Sequence, residues 1–290
     1  MTKEREGELL MVGLSLLESW FPILSIVAMS YVGALHTFTY SLLIALVFFI
    51  FLMYKRKRFA ELKNRDAYKD LLLTSFFITI LFILVFIGMR YTTAGNMAVI
   101  IFLQLLFSYL YFNIFGNEKM DIIHGIGAII MGVGALIILI PNELTFNKGD
   151  LLILIAAAIA PIANFYQKRA RKYCSAETML GFRTVVGLPF IALMAYLFEP
   201  SVSYENFMSA LPYIFIIGTV IYVISKIMWI EALHRISITK VSAMMGLVPM
   251  MTLFFAYLYL NEVPDLRQIL GIIPVLIGGY FLTKPLKVKS

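Results

Sequence analysis

The chain has 290 residues, 61% of them hydrophobic, with a mean hydropathy of +0.89 and only 14% charged. That is more apolar surface than a soluble domain can bury, and the longest polar stretch, Lys55 to Asp70, is too short for a soluble catalytic domain. The net charge of +7 suggests a nucleic-acid partner only until the charges are placed, and the single cysteine, Cys174, excludes an intrachain disulfide or a cysteine-only metal site.

Apolar runs long enough to cross roughly 30 Å of hydrocarbon predict an all-α membrane protein of ten transmembrane helices. In chain order these fall near 8–31, 34–54, 70–90, 93–115, 120–140, 150–168, 176–198, 209–233, 238–260 and 265–283. The first follows a mixed-charge tail, contains Glu18 and lacks a small-residue cleavage site, so it reads as a retained span and not a signal peptide. Helical spacing puts Ser15, Glu18, Pro22 and Ser25 on one stripe of it. The fourth helix carries Asn96, Gln104, Ser108 and Tyr111, the sixth Pro161 and Asn164, and the seventh Arg183. On the eighth, Tyr222, Lys226 and Trp229 line up, and Glu231 lies near the end, where snorkelling accounts for it. The ninth presents Ser242, Met245, Pro249 and Thr252. Glycines mark the fifth (Gly125, Gly127, Gly132, Gly134) and tenth (Gly271, Gly278, Gly279), where close helix packing within the monomer or a homodimer contact both stay open.

With the N-terminus on the cytoplasmic side, 19 of the 24 Lys and Arg fall in cytoplasmic segments and three (Arg90, Lys148, Arg267) on the opposite face; Arg183 and Lys226 lie within spans. This positive-inside bias places both termini in the cytoplasm and explains the basic charge with no nucleic-acid partner.

Asn117-Glu118-x-x-Asp121 recurs 144 residues later as Asn261-Glu262-x-x-Asp265, followed at equal spacing by Gly127 and Gly271. The shift suggests two copies of a five-helix unit, residues 1–141 and 149–285, forming one compact membrane domain. Five helices is an odd number, so the second copy inserts inverted. The loops agree: 55–69 holds seven basic residues and its counterpart 199–208 none, whereas 168–175 holds four against none in the first loop of copy one.

Several motifs then resemble the EamA branch of the drug/metabolite transporter superfamily over nearly the whole chain. Gly88-Met89-Arg90-Tyr91-Thr92-Thr93-Ala94-Gly95 and Ala232-Leu233-His234-Arg235-Ile236-Ser237-Ile238-Thr239 resemble the approach to that family's fourth and ninth helices. Pro249 with Asn261-Glu262, and Phe182-Arg183, resemble further family patterns, although Leu105 stands where the offset would put a second proline and Arg183 has no basic counterpart near Tyr40. The resemblance implies two inverted five-helix repeats around a central cavity, a secondary transporter of the inner membrane, and export of an amino-acid-like compound as the commonest activity.

An ionisable side chain at a span centre costs about 2.5–3.5 kcal/mol on insertion scales, so it is expected to face a cavity or a partner. Glu18, Gln104, Asn164, Tyr222, Lys226, Trp229 and Pro249 are therefore the candidate cavity residues. Glu18 is the candidate proton-linked carboxylate, Lys226 a partner for it or for a substrate carboxylate, and Tyr222 and Trp229 the aromatic surface. Arg183 is either a cavity residue or a structural lock between helices. Pro22, Pro161 and Pro249 are candidate mid-membrane kinks. Asp121 and Asp265 are expected to cap the fifth and tenth helices, with Glu118 and Glu262 also at helix ends. His36, His124 and His234 are isolated and lack metal-ligand spacing, so neither metal nor cofactor is expected. No P-loop or nucleophile elbow occurs, which argues against ATP-driven transport and against an enzyme. The rival readings are an intramembrane enzyme acting on a lipid-linked substrate and a scaffold without flux.

Overall fold

The structure, a computed structural model, describes residues 3–114, 122–139 and 147–282. Among these every regular element is helical: α1 (Lys3–Glu18), α2 (Phe21–Val32), α3 (Ala34–Lys55), α4 (Tyr68–Met89), α5 (Ala94–Phe102), α6 (Gln104–Ile114), α7 (Ile122–Leu139), α8 (Lys148–Ala170), α9 (Ala176–Phe198), α10 (Tyr204–Ile216), α11 (Lys226–Arg235), α12 (Ile238–Met244), α13 (Leu247–Leu260) and α14 (Leu266–Leu282). Two short 3-10 turns, Phe59–Lys63 and Arg65–Ala67, sit in the basic loop, and a π-helical stretch, Ile217–Ser225, joins α10 to α11.

Seven helical stretches are long and apolar enough to span a membrane: Lys3–Val32, Ala34–Lys55, Arg65–Met89, Ala94–Tyr111, Lys148–Ala170, Ala176–Phe198 and Tyr204–Arg235. Three shorter apolar helices, Ile122–Ile138, Leu247–Leu260 and Leu266–Leu282, lie where the fifth, ninth and tenth spans are expected. The core is apolar, but so is much of the surface, unlike that of a soluble protein. Val47, Ile129, Tyr196 and Phe198 face outward at 67–80% exposure, while Glu18, Gln104, Asn164, Gln167 and Arg183 are all under 9% exposed. A lipid solvent favours this arrangement, because polar groups then find partners only inside the protein.

Contacts pair segments of the first half with segments of the second. α3 packs on α9, α4 on α8, α1 and α2 on α11 and α10, α5 and α6 on α13 and α12, and α7 on α14. In α7 and α14 the glycines bring the backbones together. A Cβ on Gly134 would lie 2.6 Å from Gly271 O, and one on Gly278 2.5 Å from Gly127 O, so only glycine permits the approach. Gly125 and Gly132, on the other side of α7, would meet nothing within 4 Å.

Three carboxylates cap helices far away in sequence. Glu199, at the end of α9, accepts from the N–H groups of Ala34, Leu35 and His36 at 2.9, 3.1 and 3.0 Å, meeting the free donors that open α3. Gly33 precedes them with φ +86°, and a Cβ there would stand 2.7 Å from Glu199 Oε2. Glu61 accepts from Ser175 N and Oγ, both at 2.7 Å, ahead of α9. Glu262 accepts from Ala94 N at 3.1 Å at the start of α5. Its role is thus that of a cap, on a helix 168 residues earlier. Asp265 caps α14: its Oδ1 accepts from Gln268 N at 2.7 Å, and Gln268 Oε1 accepts in return from Asp265 N at 3.0 Å, a reciprocal capping box. Asn117, Glu118 and Asp121 lie outside the described residues, as does the side chain of Ser242.

The first predicted helix is interrupted at Ser19–Trp20, the fourth at Leu103 and the ninth at Met245–Gly246. Pro22 and Pro249 sit in the first turns of α2 and α13, where proline's missing N–H costs no hydrogen bond. They restart helices and do not bend them. Pro161 sits inside a continuous α8. The first and ninth breaks are mutually satisfied: Thr252 Oγ1 donates to Ser19 O at 3.0 Å, and Ser15 Oγ lies 3.3 Å from Met244 O.

Candidate functional site

At the level of these breaks lies a cavity of about 110 Å³. Its walls come from α1, α2, α4, α5, α6, α8, α9, α11 and α13, so both halves of the chain contribute. The lining is mostly apolar, with Phe21, Phe82, Val85, Met97, Ile101 and Val248 prominent, and its polar groups are Glu18, Gln104, Asn164, Gln167, Arg183, Lys226 and the indole of Trp229.

Lys226 Nζ donates to Glu18 Oε1 at 2.7 Å, and Ser225 Oγ donates to the same oxygen. The two charged side chains are 9% and 13% exposed, which makes this a buried pair between α1 and α11. Neither charge is tolerable alone in an apolar wall, and each is the other's counter-ion. Lys226 Nζ also lies 5.5 Å from the centroid of the Phe82 ring, whose face favours a cation.

A second string of polar contacts crosses the cavity. Arg183 NH1 donates to Gln167 Oε1 at 3.1 Å, Gln167 Nε2 donates to Asn164 Oδ1 at 2.9 Å, and Trp229 Nε1 donates to the same oxygen at 3.3 Å. The string fixes α8, α9 and α11 against one another. Arg183 therefore does link helices, as a lock would, but it also lines the cavity.

Two expected residues lie elsewhere. Tyr222, 1% exposed, is packed among Phe21, Phe38 and Phe82 and lines a satellite cavity of about 10 Å³ beside Arg183, not the main one. The π winding of Ile217–Ser225 intervenes, and its i→i+5 bonding breaks the alignment that α spacing predicts between Tyr222 and Lys226. Pro249 is buried, but its neighbours Met245 and Val248 supply the wall. Glu18, Gln104, Asn164, Lys226 and Trp229 do converge on the main cavity.

Sequence reading missed Gln167, Ser225 and Phe82. Gln167 is one turn beyond Asn164, and that i, i+3 spacing was the available signal. A further polar cluster also went unread. Asp150, 6% exposed, accepts from Thr92 Oγ1 and from Asn96 Nδ2 at 3.3 Å, and Asn96 Oδ1 accepts from Gln268 Nε2 at 2.7 Å. Asn96 thus belongs to this cluster at the Arg90 end of the bundle, away from the cavity.

Among the described residues no group of three or more His, Cys, Asp or Glu is arranged to hold a metal.

The EamA-like transporter family model matches residues 5–140 and 147–284. An uncharacterized transporter of Bacillus subtilis, YoaV, is 25% identical over 200 residues, 68% of each chain. An uncharacterized transporter of Archaeoglobus fulgidus is 26% identical over 212 residues, 71% of this chain and 72% of the relative. A protein crystal structure superposes with a TM-score of 0.70 over 97% of both chains at 15% identity, a likeness of fold.

Proposed function

Because the chain belongs to the EamA-like transporter family, and is a multi-pass membrane transporter, we propose that it is a secondary active transporter. It moves a small polar or amphipathic metabolite by alternating access across the cytoplasmic membrane, with export of an amino-acid-like compound as its direction and cargo. Ten spans, arranged as two inverted five-helix repeats with both termini in the cytoplasm, belong to this reading. The separate family matches to each half, the pairing of every first-half helix with one from the second, and the basic residues at one end support it.

The observation that carries the proposal is the Glu18–Lys226 pair in the wall of a central cavity built from both halves. Protonation of Glu18 removes the charge that holds Lys226, so proton uptake changes the electrostatics of the cavity and the tie between α1 and α11. The switch acts where helix breaks supply bending points. Uptake and efflux of labelled amino acids in proteoliposomes, with an imposed proton gradient, test this reading. Glu18→Gln is expected to abolish the dependence on the gradient, and Lys226→Ala to lower flux by on the order of tenfold or more, since it leaves a buried carboxylate unpaired. Unchanged transport in both variants would sink these roles.

A further inference from the structure

Charge counting in the cavity leaves a remainder. Glu18 is neutralised by Lys226 at 2.7 Å. Arg183 is 6% exposed, and among the described residues no carboxylate lies within ion-pair distance of it. Its hydrogen bond to Gln167 Oε1 at 3.1 Å uses a single N–H of the five a guanidinium carries. The satellite cavity beside it also holds the Tyr222 hydroxyl, buried and with no hydrogen-bond partner among the described residues. Buried guanidinium and phenol donors left open are costly unless something accepts from them. The main cavity thus carries one net positive charge among mostly apolar walls, with guanidinium donors of Arg183 left open.

We propose that the main cavity is a receptor for a small organic monoanion, and that Arg183, not Lys226, holds its carboxylate. This rests on the transporter reading above and, within its small polar or amphipathic metabolites, selects monocarboxylates over zwitterionic amino acids. The planar fork of Arg183 suits a carboxylate, which two parallel N–H donors can hold at once. The apolar body of the ligand lies against Phe82, Met97, Ile101 and Val248, and Trp229 stands at its edge. A cavity of about 110 Å³ is small beside the roughly 300–1,000 Å³ of ordinary ligand pockets, so a compact carboxylate fits with least rearrangement. Lys226 becomes a second anion receptor only when Glu18 loses its charge, which makes the preferred valence of the ligand a property of Glu18.

The chain has two tryptophans, so Trp20→Phe leaves Trp229 as the sole indole reporter within the cavity wall. In that background, purified protein in nanodiscs is titrated with phenylacetate, phenylacetamide and phenethylamine, and separately with butyrate, butyramide and succinate. Saturable change of Trp229 emission by the monocarboxylates is expected, with the amides and the amine weaker by on the order of a hundredfold. Arg183→Gln is expected to erase that preference and Arg183→Lys to keep it in weakened form. Glu18→Gln, which exposes Lys226, is expected to improve succinate binding by roughly tenfold or more. This gain requires a folded protein and does not depend on Arg183→Gln folding. Equal binding of carboxylate and amide, no binding of any monocarboxylate, or a preference that survives Arg183→Gln would overturn the proposal. Monoanion preference without flux in liposomes would leave the anion site standing and remove the transporter reading; flux without any anion preference would do the reverse.

Discussion

Glu199 offers a direct measure of how strongly the two halves hold each other. Its carboxylate, 2% exposed as a side chain, accepts from three consecutive backbone N–H groups at the start of α3 and lies 3.5 Å from Arg90 NH1. Glu199→Ala orphans all three amides. Capping losses run about 0.5–2 kcal/mol, and taking about 1 kcal/mol per amide gives roughly 3 kcal/mol. The ion pair adds little, since Arg90 is 46% exposed and solvent screens it. Glu199→Gln keeps a carbonyl oxygen for Ala34 and Leu35 but turns an NH₂ toward the His36 N–H, for about 1–2 kcal/mol. At about 2 °C per kcal/mol for a chain of this size, the alanine variant melts about 6 °C and the glutamine variant about 3 °C below the parent. The assay is thermal unfolding in detergent followed by the fraction that stays monodisperse. If Glu199→Ala melts within about 1 °C of the parent, the interhalf cap carries no weight and the reasoning fails.

Glu61 makes a pH-dependent version of the same contact. Burial pushes its pKa up, but hydrogen bonds from Ser175 and Thr178 and the charge of Arg58 outweigh this and leave it below its ordinary value of 4.5. A carboxylate with a lowered folded pKa stabilises the fold above its unfolded pKa, and the contribution is lost as pH falls through the folded value. Glu61→Gln is therefore expected to melt about 2 °C lower at pH 7, the gap closing below pH 4.5; a gap that persists in acid contradicts the assignment. The α7–α14 contact separates two glycines by sign. Gly278→Ala forces a Cβ to 2.5 Å from Gly127 O and is expected to cost about 1–3 kcal/mol, whereas Gly132→Ala meets nothing within 4 Å and should stabilise by up to about 1 kcal/mol through helix propensity. Equal melting shifts would show that this packing is not the one formed.

Legibility followed the cost of burying charge. Glu18, Lys226 and Arg183 stood out because an apolar span tolerates such groups only beside a partner or cavity, and all three line one chamber. Gln104 and Asn164 followed by the same logic. Tyr222 was misplaced because its position assumed α spacing through a segment that winds as a π helix. Pro249 was read as a kink, yet it opens a helix, because the break at Met245–Gly246 comes before it. The caps made by Glu61, Glu199 and Glu262 had no local signature: donor and acceptor are 114 to 168 residues apart, and only the packed bundle brings them together.

The caps also bear on the order of assembly. Ala34, Leu35 and His36 receive their acceptor from a residue that leaves the ribosome 163 to 165 positions later. At about 5–20 residues per second, the start of α3 waits roughly ten to thirty seconds for Glu199. Until then, water and lipid headgroups must satisfy those amides. The first half is thus a nascent intermediate whose helix ends are completed only by the second, and a ribosome stalled midway would leave a membrane-inserted fragment with marked, unsatisfied ends for quality control to find.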